Sequence, residues 1–156
     1  IKDKVNLPIL RKDFIIDPWQ IRESRALGAD CILLIMAALN LDEAKLLENE
    51  AHNYDMDVLV ETHTYDEIIM ANKLKTSLIG INNRNLKTME VNINNTINLK
   101  KYINTDKIIV AESGLKNHKD LIMLKENGVN IFLIGESLMK EQDLTSATKK
   151  VLGIEN

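Results

Sequence analysis

Hydrophobic and polar positions along the chain alternate between two kinds of segment. The first kind is short, apolar and β-branched, and predicts six strands: "PILRKDF", "CILLIMA", "DVLVETH", "SLIGINN", "KIIVAES" and "NIFLIGE". The second kind is longer with helical periodicity, and predicts six helices: "DPWQIRESRALGA", "LDEAKLLENEAHNYD", "TYDEIIMANKLK", "NNTINLKKYI", "NHKDLIMLKENG" and "DLTSATKKVLG". This strict alternation predicts a parallel sheet with right-handed crossovers.

The predicted helices carry residues that usually begin and end helices. Asp17 stands before Pro18, which is an N-cap followed by a residue suited to the first turn. Thr64 and Glu67 have the spacing of a capping box. Glycines stand where three of the helices should stop, at Gly28, Gly128 and Gly153.

Polar or small residues follow the carboxyl ends of the predicted strands, namely Lys12, Glu61, Asn82, Ser113 and Gly135. A doubly wound open sheet usually has a glycine-rich phosphate loop after an early strand, and this sequence has none. Polar residues after successive strands favour a TIM (βα)8 barrel, because its loops build one site at one end of the barrel.

Lys12 lies in the apolar stretch "LPILRKDFI" and shares a strand face with Leu10 and Phe14. The simplest interpretation is a lysine whose ammonium reaches past its apolar neighbours to water. Alternatively, a lysine that points inward at the rim of a site would donate a proton, since burial lowers its pKa.

Glu61 ends the strand "DVLVE", in which Leu59 and Glu61 share the inner face while Val58 and Val60 face the helices. An inner carboxylate is costly unless it is paired. Two interpretations stay open: a structural salt bridge, for example with Lys12, or a catalytic base whose protonation role is opposite to that of the lysine.

The motif "GINNRN" places Gly80, Asn82 and Arg84 on one face. Asn and Arg donors at a strand end suit an anionic or carbonyl substrate, although both residue types are also common in turns. We assign the neighbouring Asn83 and Asn85 to that turn role.

The motifs "AESG" and "LIGES" end the last two strands. Ser113 and Gly114 combine small size with a hydroxyl group, and Gly135 precedes a predicted helical turn whose free N–H groups would hold a phosphate. Glycine after a strand often makes only a turn, but barrels frequently bind phosphate after strands seven and eight. The two motifs together predict a phosphate site, from which the carboxylate of Glu136 must point away.

Composition and charge exclude several classes of function. The 156 residues have a net charge of -3 from interspersed charges, and no basic stripe indicates nucleic acid binding. No membrane span or signal peptide is predicted. The single cysteine, Cys31, fits a reducing cytoplasm and is interpreted as a small buried apolar residue. The histidines lack metal-like spacing, so no metal site is predicted.

Six motifs occur in an order and spacing that resemble the indole-3-glycerol-phosphate synthase family of tryptophan biosynthesis: "PILRKDFIIDPWQI", "ADCILLI", "LVETH", "IGINNRNL", "AESG" and "FLIGESLM". The resemblance covers essentially the whole chain. It implies a TIM barrel and a carboxy-lyase that converts 1-(2-carboxyphenylamino)-1-deoxyribulose 5-phosphate to indole-3-glycerol phosphate, releasing carbon dioxide and water. It also implies a phosphorylated small-molecule substrate, no metal or cofactor, and a cytoplasmic location.

The resemblance implies a role for each matching residue. Lys12 resembles a general acid, Glu61 a general base, and Asn82 a residue that orients Glu61 and the substrate hydroxyls. Arg84 resembles an arginine near the anthranilate carboxylate, and Glu112 a glutamate at the mouth of the site. The implied apolar pocket for the aromatic ring consists of Phe14, Leu33 and Leu133. The implied phosphate site consists of Ser113, Gly114, Gly135 and the backbone N–H of Glu136.

Members of that family also carry a longer N-terminal region with the first two strands, which supply a further glutamate and lysine. Nothing in this sequence matches that region, so residues 1–156 are predicted to be an incomplete TIM barrel with about six of eight βα units, strands three to eight. We expect little activity from this chain alone and a missing N-terminal segment of the same protein as its partner. Two other interpretations stay open: an inactive phosphate-binding fragment, or another sugar-phosphate barrel enzyme such as an isomerase or a Schiff-base aldolase.

Overall fold

A computed structural model describes residues 1–86 and 88–154 of the protein as alternating strands and helices. The elements in chain order are β1 (Leu10–Arg11), α1 (Pro18–Ala26), β2 (Cys31–Ile35), α2 (Leu41–Asn53), β3 (Asp57–Thr62), α3 (Tyr65–Ala71), β4 (Leu78–Asn82), α4 (Asn94–Leu99), β5 (Ile108–Glu112), α5 (His118–Glu126), β6 (Ile131–Leu133), α6 (Glu136–Met139) and α7 (Leu144–Leu152). All six predicted strands are present among these residues, although β1 is shorter than predicted and Lys12 lies just beyond it.

The strands form one parallel sheet in which each strand pairs with the next along the chain, in the order β1 to β6. Within the described ranges β1 and β6 are its edges, so the sheet is open, as six strands of a barrel should be. Its register places Glu61 level with Gly80, and Asn82 level with Glu112. Three neighbouring strand ends therefore bring their polar side chains together.

The two faces of the sheet have different surroundings, as the alternation of side chains predicted. Val58 and Val60 are buried with the helices in the larger apolar cluster. Leu59 belongs to a smaller cluster on the inner face, with Leu33, Ile35 and Val110 at its centre. Because the helices cover only the outer face, the inner face is the one available for a site.

Side-chain caps and glycines set the helix boundaries. Asp17 accepts a hydrogen bond from Trp19 N at 2.7 Å and caps α1, as predicted. Thr64 caps α3, but the Glu67 carboxylate accepts from the backbone of His63, so the predicted capping box does not close at Thr64. The three predicted stop glycines all adopt left-handed backbone angles: Gly28, Gly128 and Gly153. Among the helices of the described residues, none is long and apolar enough to cross a membrane.

Candidate active site

Lys12, Glu61 and Asn82 converge at the carboxyl-terminal end of the sheet. The ammonium nitrogen of Lys12 lies 2.8 Å from Glu61 Oε2, and Asn82 Nδ2 donates to Glu61 Oε1 at 2.9 Å. Glu61 is only 2% exposed, whereas the side chain of Lys12 is 45% exposed. The carboxylate is therefore fixed on both oxygens, while the ammonium group faces open space.

These contacts determine the protonation states of the pair. Burial is the largest influence on the pKa of Glu61 and raises it, but hydrogen bonds from Lys12 and Asn82 together outweigh burial and keep this pKa below its ordinary value. Burial also lowers the pKa of Lys12, yet the hydrogen bond to Glu61 and the charge of Glu112 outweigh it and raise the pKa. The expectation of a depressed lysine pKa is therefore wrong. At neutral pH, Lys12 is therefore protonated and Glu61 is ionised.

Glu112, the last residue of β5, lies beside Lys12 and is completely buried. Its Oε2 atom is 3.4 Å from Lys12 Nζ, and neither of its carboxyl oxygens has a hydrogen-bond partner among the described residues. Burial and then the charge of Glu61 raise the pKa of Glu112 to about 8. The expectation that Glu112 lies at the mouth of the site is wrong, because its side chain sits below the surface of the inner face.

A cavity of about 410 Å³ opens above the Lys12–Glu61 pair. One side of it is apolar and formed by Phe14, Leu33, Ile35 and Leu86. The other side is polar and formed by Lys12, Asp13, Glu61, Asn82, Arg84 and Ser113. Phe14 and Leu33 were predicted together in an apolar pocket, and the structure brings them together here. Such a cavity suits an aromatic group with polar substituents.

A second cavity of about 740 Å³ lies beside the first and shares Lys12, Arg84 and Ser113 with it. The four residues predicted to hold a phosphate all line this larger cavity: Ser113, Gly114, Gly135 and Glu136. Leu133 also lines this larger cavity, and it is absent from the smaller one. The expectation that Leu133 joins Phe14 and Leu33 in one pocket is therefore wrong.

The larger cavity has two lysines that the sequence interpretation missed, Lys116 and Lys140. The only signal for them was a positive charge soon after each of the motifs "AESG" and "LIGES". Together with Lys12 and Arg84 they give the cavity four cations against the two carboxylates of Glu136 and Glu141, and this excess of positive charge favours an anionic ligand.

The carboxylate of Glu136 is paired with two of these cations. Arg84 Nη2 lies 2.5 Å from Glu136 Oε2, and Lys140 Nζ lies 2.5 Å from Oε1. The hydrogen bond from Lys140, with the charges of Lys140 and Arg84, keeps the pKa of Glu136 below its ordinary value. Glu136 is the first residue of α6, which follows Gly135 as predicted. Its negative charge is thus compensated within the protein.

Asn83 connects the loops that carry these residues. Its Oδ1 atom accepts from Thr96 N at 3.1 Å and from Thr96 Oγ1 at 2.8 Å, and its Nδ2 atom donates to the backbone oxygen of Ser113 at 3.1 Å. Ser113 and Gly114 both have left-handed backbone angles, with φ of 64° and 77°. Asn83 is 2% exposed, so the expectation that it merely fills a turn is wrong.

Comparison with known proteins identifies the family of this chain. The family model described as indole-3-glycerol phosphate synthase matches residues 1–151. The chain belongs to the indole-3-glycerol phosphate synthase family. A relative of that name from Azospirillum brasilense is 51% identical over 95% of this chain and 56% of its own length. One from Legionella pneumophila (strain Paris) is 48% identical over 97% of this chain and 58% of its own length. The chain thus spans little more than half the length of these synthases.

Solved structures show that this member of the synthase family has the architecture of TIM-barrel enzymes. 3-Hexulose-6-phosphate synthase from Salmonella typhimurium superposes with a TM-score of 0.81 at 11% identity, over 98% of this chain and 75% of its own. A chain of the tryptophan synthase complex from Pyrococcus furiosus gives 0.74 at 14% identity, over 98% and 69%. The six parallel strands form a half-barrel with alternating helices, which confirms the predicted fold class.

Cys31 plays no part in the site of this synthase-family chain. It packs against the inner apolar cluster, and burial is the main cause that raises its pKa to about 11. The interpretation of Cys31 as a small apolar residue agrees with this packing, but the residue is only half-buried, because it lies at the start of its strand.

Proposed function

We propose that the protein containing this chain is an indole-3-glycerol phosphate synthase. Its reaction would be ring closure of 1-(2-carboxyphenylamino)-1-deoxyribulose 5-phosphate with loss of carbon dioxide and water. The observation that carries the proposal is the position of the Lys12–Glu61 pair. The protonated lysine and the ionised glutamate lie beside a cavity with an apolar wall, and Lys12 also lines the neighbouring cavity, in which cations outnumber carboxylates.

In this proposal Lys12 acts first. Its ammonium group donates a proton to the ribulose carbonyl oxygen while the aromatic carbon that bears the carboxylate attacks the carbonyl carbon. Loss of carbon dioxide returns the electron pair of the broken bond to the ring. The exposed side of Lys12 supports this role, because the ammonium group is accessible from both cavities.

Glu61 acts in the dehydration that follows. Its carboxylate removes a proton from the ring-closed intermediate, while Lys12, reprotonated from solvent, gives a second proton to the former carbonyl oxygen, which leaves as water. Asn82 holds Glu61 Oε1 at 2.9 Å, which supports its proposed role in orienting the base and the substrate hydroxyls. The lowered pKa of Glu61 keeps the base ionised at neutral pH.

The two cavities would divide the substrate between them. The aromatic ring would lie against Phe14 and Leu33, with Leu133 at the side of the larger cavity and Arg84 near the anthranilate carboxylate. The phosphate would lie in the larger cavity, near Lys116 and Lys140. Its proposed backbone and hydroxyl partners are Ser113, Gly114, Gly135 and the N–H group of Glu136.

The proposal concerns the whole protein, since the curated relatives are longer than this chain. We propose that a segment equivalent to the N-terminal part of those relatives completes the barrel and the site. We also propose a cytoplasmic location, which suits a chain whose single cysteine is a free thiol.

The test is a ring-closure assay on the full-length native protein that contains this chain. Indole fluorescence should appear with the carboxyphenylamino substrate, and Lys12→Met or Glu61→Gln should lower kcat by roughly 100-fold or more. The matched control is Lys45→Met, because Lys45 is exposed on α2, outside both cavities.

Two results would reject the proposal. The first is no indole product from the folded wild-type protein. The second is a covalent adduct at Lys12 when borohydride is added with a sugar phosphate, which would indicate a Schiff-base aldolase instead.

A further inference from the structure

The space beside Gly80 on β4 is occupied by the side chain of Glu112. A Cβ atom at position 80 would lie 1.9 Å from Glu112 Oε1 and 3.0 Å from its Cδ atom. Both distances are shorter than ordinary van der Waals contact. The Glu112 carboxyl group therefore fills the volume that a side chain at position 80 would need.

The strand register explains this arrangement. Glu112 is level with Asn82 on β4, whereas Glu61 on β3 is level with Gly80. The Glu112 side chain thus leans back along β4 until its carboxyl group lies over Gly80. From there it faces Glu61 across the glycine, and any larger residue at position 80 would stand between the two carboxyl groups.

The ammonium group of Lys12 lies between these carboxyl groups. Its nitrogen is 2.8 Å from Glu61 Oε2 and 3.4 Å from Glu112 Oε2. Glu112 lines neither cavity, so it acts on a bound substrate through its neighbours Lys12 and Glu61. We propose that Gly80 and Glu112 form a positioning pair, in which the missing side chain of Gly80 lets the Glu112 carboxyl group set the place and proton affinity of Lys12.

This inference rests on the proposed function, because it gives the pair a role in setting the proposed general acid. The charged groups that face Glu112 are Lys12 and Glu61. At neutral pH the three groups sum to zero charge, since Glu112, with a pKa of about 8, holds its proton. Above that pH, the negative charge of ionised Glu112 stabilises the ammonium form of Lys12. Lys12 then becomes a weaker acid, and kcat should fall.

The first experiment is a ¹³C NMR titration of glutamate carboxyl groups in the full-length native protein. The wild type should show one glutamate that titrates near pH 8, and Glu112→Gln should abolish that titration while Glu126→Gln, on the exposed face of α5, should keep it. Gly80→Ala should move this titration by at least one pH unit, because the new methyl group displaces the carboxyl group.

Kinetics then test the positioning role. Gly80→Ala should lower kcat about tenfold or more with little change in KM, and Glu112→Gln should move the alkaline fall of kcat to higher pH. The double variant Gly80→Ala/Glu112→Asp removes the clash, because aspartate is one methylene shorter. It should restore the midpoint of unfolding without restoring kcat.

Different results would reject the positioning pair and the synthase assignment. A titration near pH 8 that survives Glu112→Gln, or full kcat in the folded double variant, would overturn the positioning pair even if the wild type is an active synthase. A protein with the expected titrations but no indole product would uphold the Gly80–Glu112 geometry and reject the synthase assignment.

Discussion

The ammonium nitrogen of Lys12 and Oε2 of Glu61 are 2.8 Å apart, although 49 positions separate the two residues in the chain. The two partners differ in their surroundings, because the Glu61 side chain is 3% exposed and that of Lys12 is 45% exposed. Removing either one therefore leaves a different kind of unpaired charge.

We expect Lys12→Met to destabilise the protein more than Glu61→Gln at pH 7. The lysine variant leaves a buried carboxylate with Asn82 as its remaining neutral partner, a change that costs roughly 3 kcal/mol in other proteins. The glutamate variant leaves an ammonium group that water can reach, and we expect about 1 kcal/mol.

Urea unfolding of both variants measures this difference, with Lys45→Met as the control. The double variant Lys12→Met/Glu61→Gln should be more stable than Lys12→Met alone, since no buried charge remains. Equal losses in the two single variants would contradict the asymmetry.

We expect the free energy of unfolding to depend on pH through the titration of Glu112. The pKa of this group rises from an ordinary value of 4.5 to about 8 on folding. Between these values the unfolded chain has released the proton that the folded protein keeps. The free energy of unfolding should therefore decrease by about 1.4 kcal/mol per pH unit in that window, and the decrease should stop above pH 8.

Unfolding of the wild type and of Glu112→Gln, measured at pH 5, 6.5 and 8, isolates this effect. The stability of the wild type relative to the variant should decrease with pH, and Glu126→Gln should follow the wild type. Glu61, whose pKa is lowered, loses its contribution only at acid pH, and Lys12, whose pKa is raised, only at strongly alkaline pH. A constant difference between wild type and Glu112→Gln would show that Glu112 is ionised when folded.

We expect Gly153→Ala to weaken the attachment of α7. Gly153 ends that helix with φ of 71°, and a Cβ atom there would lie 2.5 Å from the His118 ring, which contacts Val151 O at 3.1 Å. The left-handed backbone alone costs alanine about 1–2 kcal/mol. Thermal unfolding should show the loss, whereas Gly135→Ala, whose Cβ atom meets nothing within 4 Å, should unfold like the wild type.

The sequence allowed the strand faces to be predicted because their alternation is local. Leu59 and Glu61 point inward and Val58 points to the helices for the same reason, a period of two. The convergence of Lys12, Glu61 and Asn82 followed from parallel strands whose carboxyl ends share one edge. These inferences needed only the order of the strands.

The burial of Glu112 could not be predicted from the sequence, since it depends on an empty volume on another strand. Gly80 and Glu112 are far apart in the chain, and the strand register places the carboxyl group of Glu112 over the backbone of Gly80. The raised pKa of Lys12 was missed for a related reason. A sequence shows the apolar neighbours of a lysine, but not the distances to two carboxyl groups from other strands.

Arg84 contributes to the walls of both cavities, together with Lys12 and Ser113. A compound that occupies one cavity alone meets only part of this shared boundary and leaves the adjoining space hydrated. Elongated molecules with a flat apolar head and a charged tail match both compartments at once. Inhibitors of this site should therefore gain affinity by bridging the boundary, more than by enlarging either end.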